Sequence, residues 1–205
     1  MSTSFEVFPT KLNKPKCDEI IKYSIQLFNE YMKKEKILRD IEITVIEISD
    51  DNEVNMNPLS LVLKEDGCCT VFNLNEEGEV YVFYRELTEV DKDFWNEELQ
   101  GNKNAQFMKE KIDANLEIGY CWTVKRTMGQ PIIVSLYYGY LAIAIAVLTD
   151  GIIYSDDGAW DYSCFPISAS EFETEYLNID KLNDKSIKQC IEHWLEKLNR
   201  NYSCF

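Results

Sequence analysis

The apolar positions change period several times along this chain, and each change marks an element. Across 15–37, Ile20, Ile21, Ile25, Phe28, Tyr31 and Met32 recur on one helical face. Pro15 suits the first turn of that helix, and lysines gather at its C-terminal end, where they complement the dipole. The run IEITVIEI at 41–48 alternates and is β-branched, which predicts a strand. A polar loop at 50–58 follows, then three further strand candidates at 59–64, 69–74 and 79–85. Asp66-Gly67 and the NEEG run at 75–78 are hairpin connections, so the four strands read as an antiparallel meander. Residues 1–13 read as irregular.

Residues 87–104 are acidic and loop-like, with a short helix around 94–99. They offer the best subdomain boundary in a chain that otherwise reads as one domain over 1–205. A helix is expected over 105–115, with Phe107, Met108 and Ile112 facing inwards, and a strand over 118–126. The apolar helix 131–149 ends at Asp150-Gly151, and 152–155 is a short strand. Ser168 and Glu171 form a capping box before a short helix that includes Phe172 and Tyr176. The last helix, 184–199, puts Ile187, Cys190, Ile191, Trp194, Leu195 and Leu198 on its inner face. The expected fold class is α+β: a mainly antiparallel sheet packed against the central apolar helix, flanked by N- and C-terminal helices.

That apolar helix needs a membrane test, because 131–148 carries no charge over eighteen residues. Three tyrosines lie in its middle, Ser135 and Gly139 interrupt it, and no other segment is as apolar. The reading is a buried core helix and no membrane association. The first fourteen residues have no apolar h-region, and the seven cysteines are odd in number with no CxxC pair. Both features point to a cytoplasmic chain with reduced thiols.

Charge then narrows the partners. The chain has 36 acidic side chains against 21 basic ones, a formal net charge of -15. Such a surface repels nucleic-acid phosphates and anionic lipids and favours a basic protein partner. Nine acids against Arg85 and Lys92 lie within 75–98 alone. No nucleophile elbow, zinc motif, phosphate loop or dinucleotide fingerprint occurs, so no catalytic residue, metal or cofactor is expected. The single histidine, His193, reads as an exposed helical residue beside a buried Cys190.

Two segments carry candidate chemistry. In SDDGAWDYSCF, Asp156, Asp157 and Asp161 cluster around Gly158 and Trp160 without the ligand spacing of a calcium loop. One reading is a turn with Trp160 packed as a lid. The other is a protein-binding loop in which Trp160 and Tyr162 anchor and the acids set the approach. The acidic run 75–98 offers Phe94 and Trp95 as further anchors. The expected partner-binding residues are therefore Asp156, Asp157, Trp160, Asp161, Tyr162, Phe94 and Trp95. Two alternatives stay open: a carboxylate-dependent hydrolase of unrecognised type using Asp156, Asp157 or Asp161, and a structural or scaffolding protein.

Over 129–176, an alanine-containing apolar helix (LAIAIAVL) precedes a Gly-led strand (GIIYS), the loop DDGAWD and then SASEFETEY. In this order, over about a quarter of the chain, the sequence resembles the C-terminal part of several bacterial polymorphic-toxin immunity protein families. The resemblance implies a small, acidic, cytosolic, non-catalytic protein. Such a protein neutralises a cognate toxin by occluding its active site or a surface it requires. The resemblance assigns no role to any single residue.

Overall fold

The β-branched and aromatic runs assemble into one antiparallel sheet. The computed structural model describes residues 2–37, 41–49, 54–63, 68–75 and 78–202. Its strands are β1 (Thr3–Phe8), β2 (Ile43–Ile48), β3 (Val54–Met56), β4 (Cys69–Leu74), β5 (Gly78–Glu86), β6 (Tyr120–Arg126), β7 (Ile152–Tyr154) and β8 (Ile167–Ser168). They lie in the order β3-β2-β4-β5-β6-β1-β7-β8, and every neighbouring pair is antiparallel. The helices are α1 (Cys17–Lys34), α2 (Glu89–Gly101), α3 (Lys103–Phe107), α4 (Lys109–Ile118), α5 (Ile132–Thr149), α6 (Ala169–Glu175) and α7 (Lys185–Tyr202). The fold is α+β, with the apolar α5 packed against the sheet.

The meander differs from expectation at two places. Val54–Met56, expected within a polar loop, is strand β3 and pairs with β2, Ile48 opposite Val54. Segment 59–63 is not a strand, and β2 pairs directly with β4, Val45 opposite Phe72. Leu61 N–H donates to the Pro15 carbonyl at 3.2 Å, and Cys17 N–H donates to the Leu59 carbonyl at 3.1 Å. The segment therefore fastens the start of α1, while Leu61 and Val62 still bury their side chains. The expected turn at Asp66-Gly67 lies outside the described residues.

The N-terminal stretch, expected to be irregular, contains an interior strand. β1 has β6 on one side and β7 on the other, with Glu6 opposite both Thr123 and Tyr154. Both backbone edges are thereby satisfied, and Phe5 and Val7 are fully buried. The acidic segment expected as a loop is mostly the helix α2. Thr88 and Asp91 form a reciprocal capping box at its start, and Trp95 is its one buried residue. The helix expected over 105–115 is broken. α3 ends at Phe107 and α4 restarts after Met108, so the phase shifts. Phe107, expected inwards, is 93% exposed, while Ile112 is buried.

α5 packs on β1, β5, β6 and β7, and against α1 and α6. Its apolar surface is covered by the chain itself, with 83% of the eighteen-residue window buried. Each buried aliphatic side chain there contributes roughly 1.5–3 kcal/mol. The tyrosine hydroxyls inside the helix find partners, as burial requires. Tyr137 OH lies 2.6 Å from the Ser24 hydroxyl of α1, and Tyr138 OH lies 3.1 Å from the Thr3 hydroxyl of β1. Gly139 faces the ring of Tyr176, which leaves no room for a Cβ. On α7, Ile191, Leu195 and Leu198 are buried as expected. Cys190, expected inwards, is exposed, as is His193.

Candidate functional site

The loop between β7 and β8 turns at Gly158, whose φ of 79° lies in the left-handed region. Asp157 ties this loop to β1. Its Oδ2 accepts from the Ser4 N–H and the Ser4 hydroxyl, both at 2.7 Å. Its Oδ1 accepts from the Ser155 hydroxyl and the Ala159 N–H, both at 3.2 Å. Asp161 starts a single 3₁₀ turn at 162–164 and accepts from Ser163 N–H, Ser163 hydroxyl and Asn183 N–H. Burial pushes its carboxyl up, but these bonds outweigh burial and hold it below the usual carboxylate range. Asp157 and Asp161 thus organise the loop. Asp156 is exposed and accepts no hydrogen bond among the described residues.

The two tryptophans expected to meet a partner are core residues. Trp95 is 1% exposed and packs edge-on against Phe8 at 5.1 Å and Tyr154 at 5.7 Å between ring centroids. Trp160 is 5% exposed and lies 4.9 Å from the Tyr176 ring. Each indole fixes an otherwise polar segment to the core, and that burial removes it from contact with a docking protein. Phe94 is half-buried against Tyr154 at 5.1 Å. Tyr162 is exposed, with its hydroxyl accepting from Tyr154 OH at 3.1 Å.

The acidic helix α2 is tied to neighbouring segments at both ends. At the C-terminal end of α2, Asn102 Nδ2 donates to the Phe165 carbonyl at 2.8 Å and Asn104 Nδ2 donates to the Ser163 carbonyl at 3.2 Å. At the other end, Arg85 bridges Asp91 at 2.7 Å and Glu6 at 3.3 Å. Burial raises the pKa of Glu6, Arg85 pulls it down, and the charge of Asp156 pushes it up again. Asp156 therefore lies within electrostatic reach of the cluster that holds α2. Between α2, α3 and the 3₁₀ turn is an open basin of about 510 Å³, lined by Glu97, Glu98, Asn102, Lys103, Tyr162 and Ser163. Phe107 stands fully out of the end of α3, and Val90 is 76% exposed on α2.

The sequence singled out Tyr162 and the acidic run as separate candidates and missed Phe107, because an unbroken helical phase turned it inwards. The extent of α2 had a readable signal in the Thr88–Asp91 capping pair. Asp156, Asp157 and Asp161 do not line the basin, and their carboxylates face different partners. Among the described residues, no group of three His, Cys, Asp or Glu side chains is arranged to hold a metal ion. No family model, curated protein or solved structure matches the chain.

Proposed function

We propose that this chain is an acidic cytoplasmic protein-binding protein of the immunity or inhibitor type, which neutralises a basic partner, a cognate toxin, by covering it. The observation that supports this reading is the basin where Glu97 and Glu98 of α2 face the exposed Tyr162 across about 510 Å³. Carboxylates around such a hollow steer a basic surface inwards and raise the association rate. Tyr162 in the basin wall then supplies apolar contact area, and Phe107 at the end of α3 is a further exposed aromatic. The hollow is pre-organised, since Asn102 and Asn104 lock α3 to the loop before any partner arrives.

The test is capture of a partner at low salt and at about 0.5 M salt, where screening shortens to about 4 Å. The reading expects one stoichiometric partner, released by salt, weakened by Glu97→Lys with Glu98→Lys and by Tyr162→Ala, and harmless to cells when this chain is co-expressed. The exposed Glu192→Lys on α7 serves as a charge control that leaves capture unchanged. A partner that binds all variants equally, or one whose toxicity persists on co-expression, overturns the reading.

A further inference from the structure

A second hollow adjoins residues 158–160 of the loop, and its charged lining is a cation. It is a partly enclosed pocket of about 110 Å³ between α5, α7 and residues 158–160. Its walls include Tyr138, Trp160, Tyr176 and Trp194, with Ile187 and Ile191 closing the α7 side. Among the described residues its only charged lining side chain is Arg126. In a chain with 36 acids against 21 bases, a pocket with a lone cation is the exception to the prevailing charge.

Arg126 ends β6, and its guanidinium lies between two aromatic rings. The guanidinium carbon is 5.3 Å from the Tyr138 ring centroid and 5.8 Å from that of Trp194. Such cation–π contacts hold the group without neutralising its charge. Arg126 forms no salt bridge among the described residues, and its Nε is buried without a hydrogen-bond partner. Arg85 shows the contrast, since two carboxylates hold it. A half-buried guanidinium held by two aromatic rings and the Tyr138 hydroxyl, with no carboxylate beside it among the described residues, is matched by a planar carboxylate, which bonds a guanidinium through two oxygens.

We propose that this pocket binds a small monoanionic carboxylate with a flat apolar body, paired with Arg126 and enclosed by Trp160 and Trp194. The volume is below the roughly 150 Å³ of a dry apolar cavity that accepts benzene, so it limits the ligand to at most one six-membered ring. The aromatic walls favour a flat ligand by stacking. Arg126 sets the sign of the charge, against the net field of the chain. The exposed thiol of Cys190 also lines the pocket, so a bound ligand shields it.

The test uses the full chain with benzoate, its neutral analogue benzamide and the cation benzylamine, followed by tryptophan fluorescence and calorimetry at fixed ionic strength. Benzoate is expected to bind one saturable site at least about ten-fold more tightly than benzamide, the scale of one charge-assisted hydrogen-bond pair. Benzylamine is expected not to bind. Arg126→Gln is expected to abolish the preference for benzoate over benzamide, with circular dichroism confirming the fold. Should that variant unfold, the wild-type chain still decides: saturating benzoate must slow alkylation of Cys190, and benzylamine must not. Equal binding of benzoate and benzamide, preference for benzylamine, absence of saturable benzoate binding, or an unprotected Cys190 overturns the proposal.

Discussion

The ring of Tyr176 lies directly on Gly139 of α5, and its hydroxyl donates to the Leu136 carbonyl at 3.1 Å. Any Cβ at position 139 would overlap that ring. Gly139→Ala is therefore expected to destabilise the fold by about 1–3 kcal/mol through overpacking. Gly101, with open space around it at the end of α2, is the control. Urea denaturation of both alanine variants checks this. Equal midpoints would mean that Tyr176 moves aside freely.

Trp95 and Trp160 are structural anchors, so their loss is expected to cost stability first. Each alanine variant should lose about 3–5 kcal/mol. Tyr162→Ala, at an exposed position, should stay within about 0.5 kcal/mol of the parent. Guanidinium unfolding curves separate these cases. A tryptophan variant of native stability would contradict the burial.

Asp91 links stability to pH. Burial pushes its carboxyl up, but the Thr88 N–H, the Thr88 hydroxyl and Arg85 together hold it below the usual carboxylate range. A depressed folded value means stability that is present above the unfolded carboxylate value and lost as pH falls through the folded one. The destabilisation caused by Asp91→Asn is therefore expected to be full at pH 7 and to shrink as the pH is lowered into the acid range. Thermal melts of both proteins at several pH values check the sign. A difference that grows towards low pH would refute it.

Thiol reactivity should rank by exposure. Among the described cysteines, Cys190 is exposed, whereas Cys17 and Cys121 are buried and burial pushes both up to about 12. At pH 8, alkylation is expected at Cys190 first and at Cys121 only when the chain opens. Peptide mapping over time reads the order directly.

The sequence showed most clearly the elements whose pattern and burial agree. β2, β4 and β5 are β-branched runs, and α5 is apolar on every side. β1 was not readable, because a six-residue strand at one end becomes a strand only when β6 and β7 flank it. α2 was obscured by its acids, since one buried tryptophan anchors thirteen residues and gives little periodicity. Leu61 and Val62 signalled burial correctly but not pairing, because their backbone serves α1. The candidate face was legible as acidic composition. Which aromatics point outwards was not, since Trp160 and Tyr162 differ by two positions and only packing separates them.

Continuity of the sheet between β6 and β7 depends on the short strand β1. Its partners follow it by more than a hundred residues, at 122–126 and 152–154. During synthesis, then, Thr3–Phe8 emerges long before its slot exists, and that slot is complete only once β7 has been made. The slot between β6 and β7 is a template for strand complementation: a peptide carrying this segment, added to a chain that lacks it, would have both of its hydrogen-bonding edges already waiting.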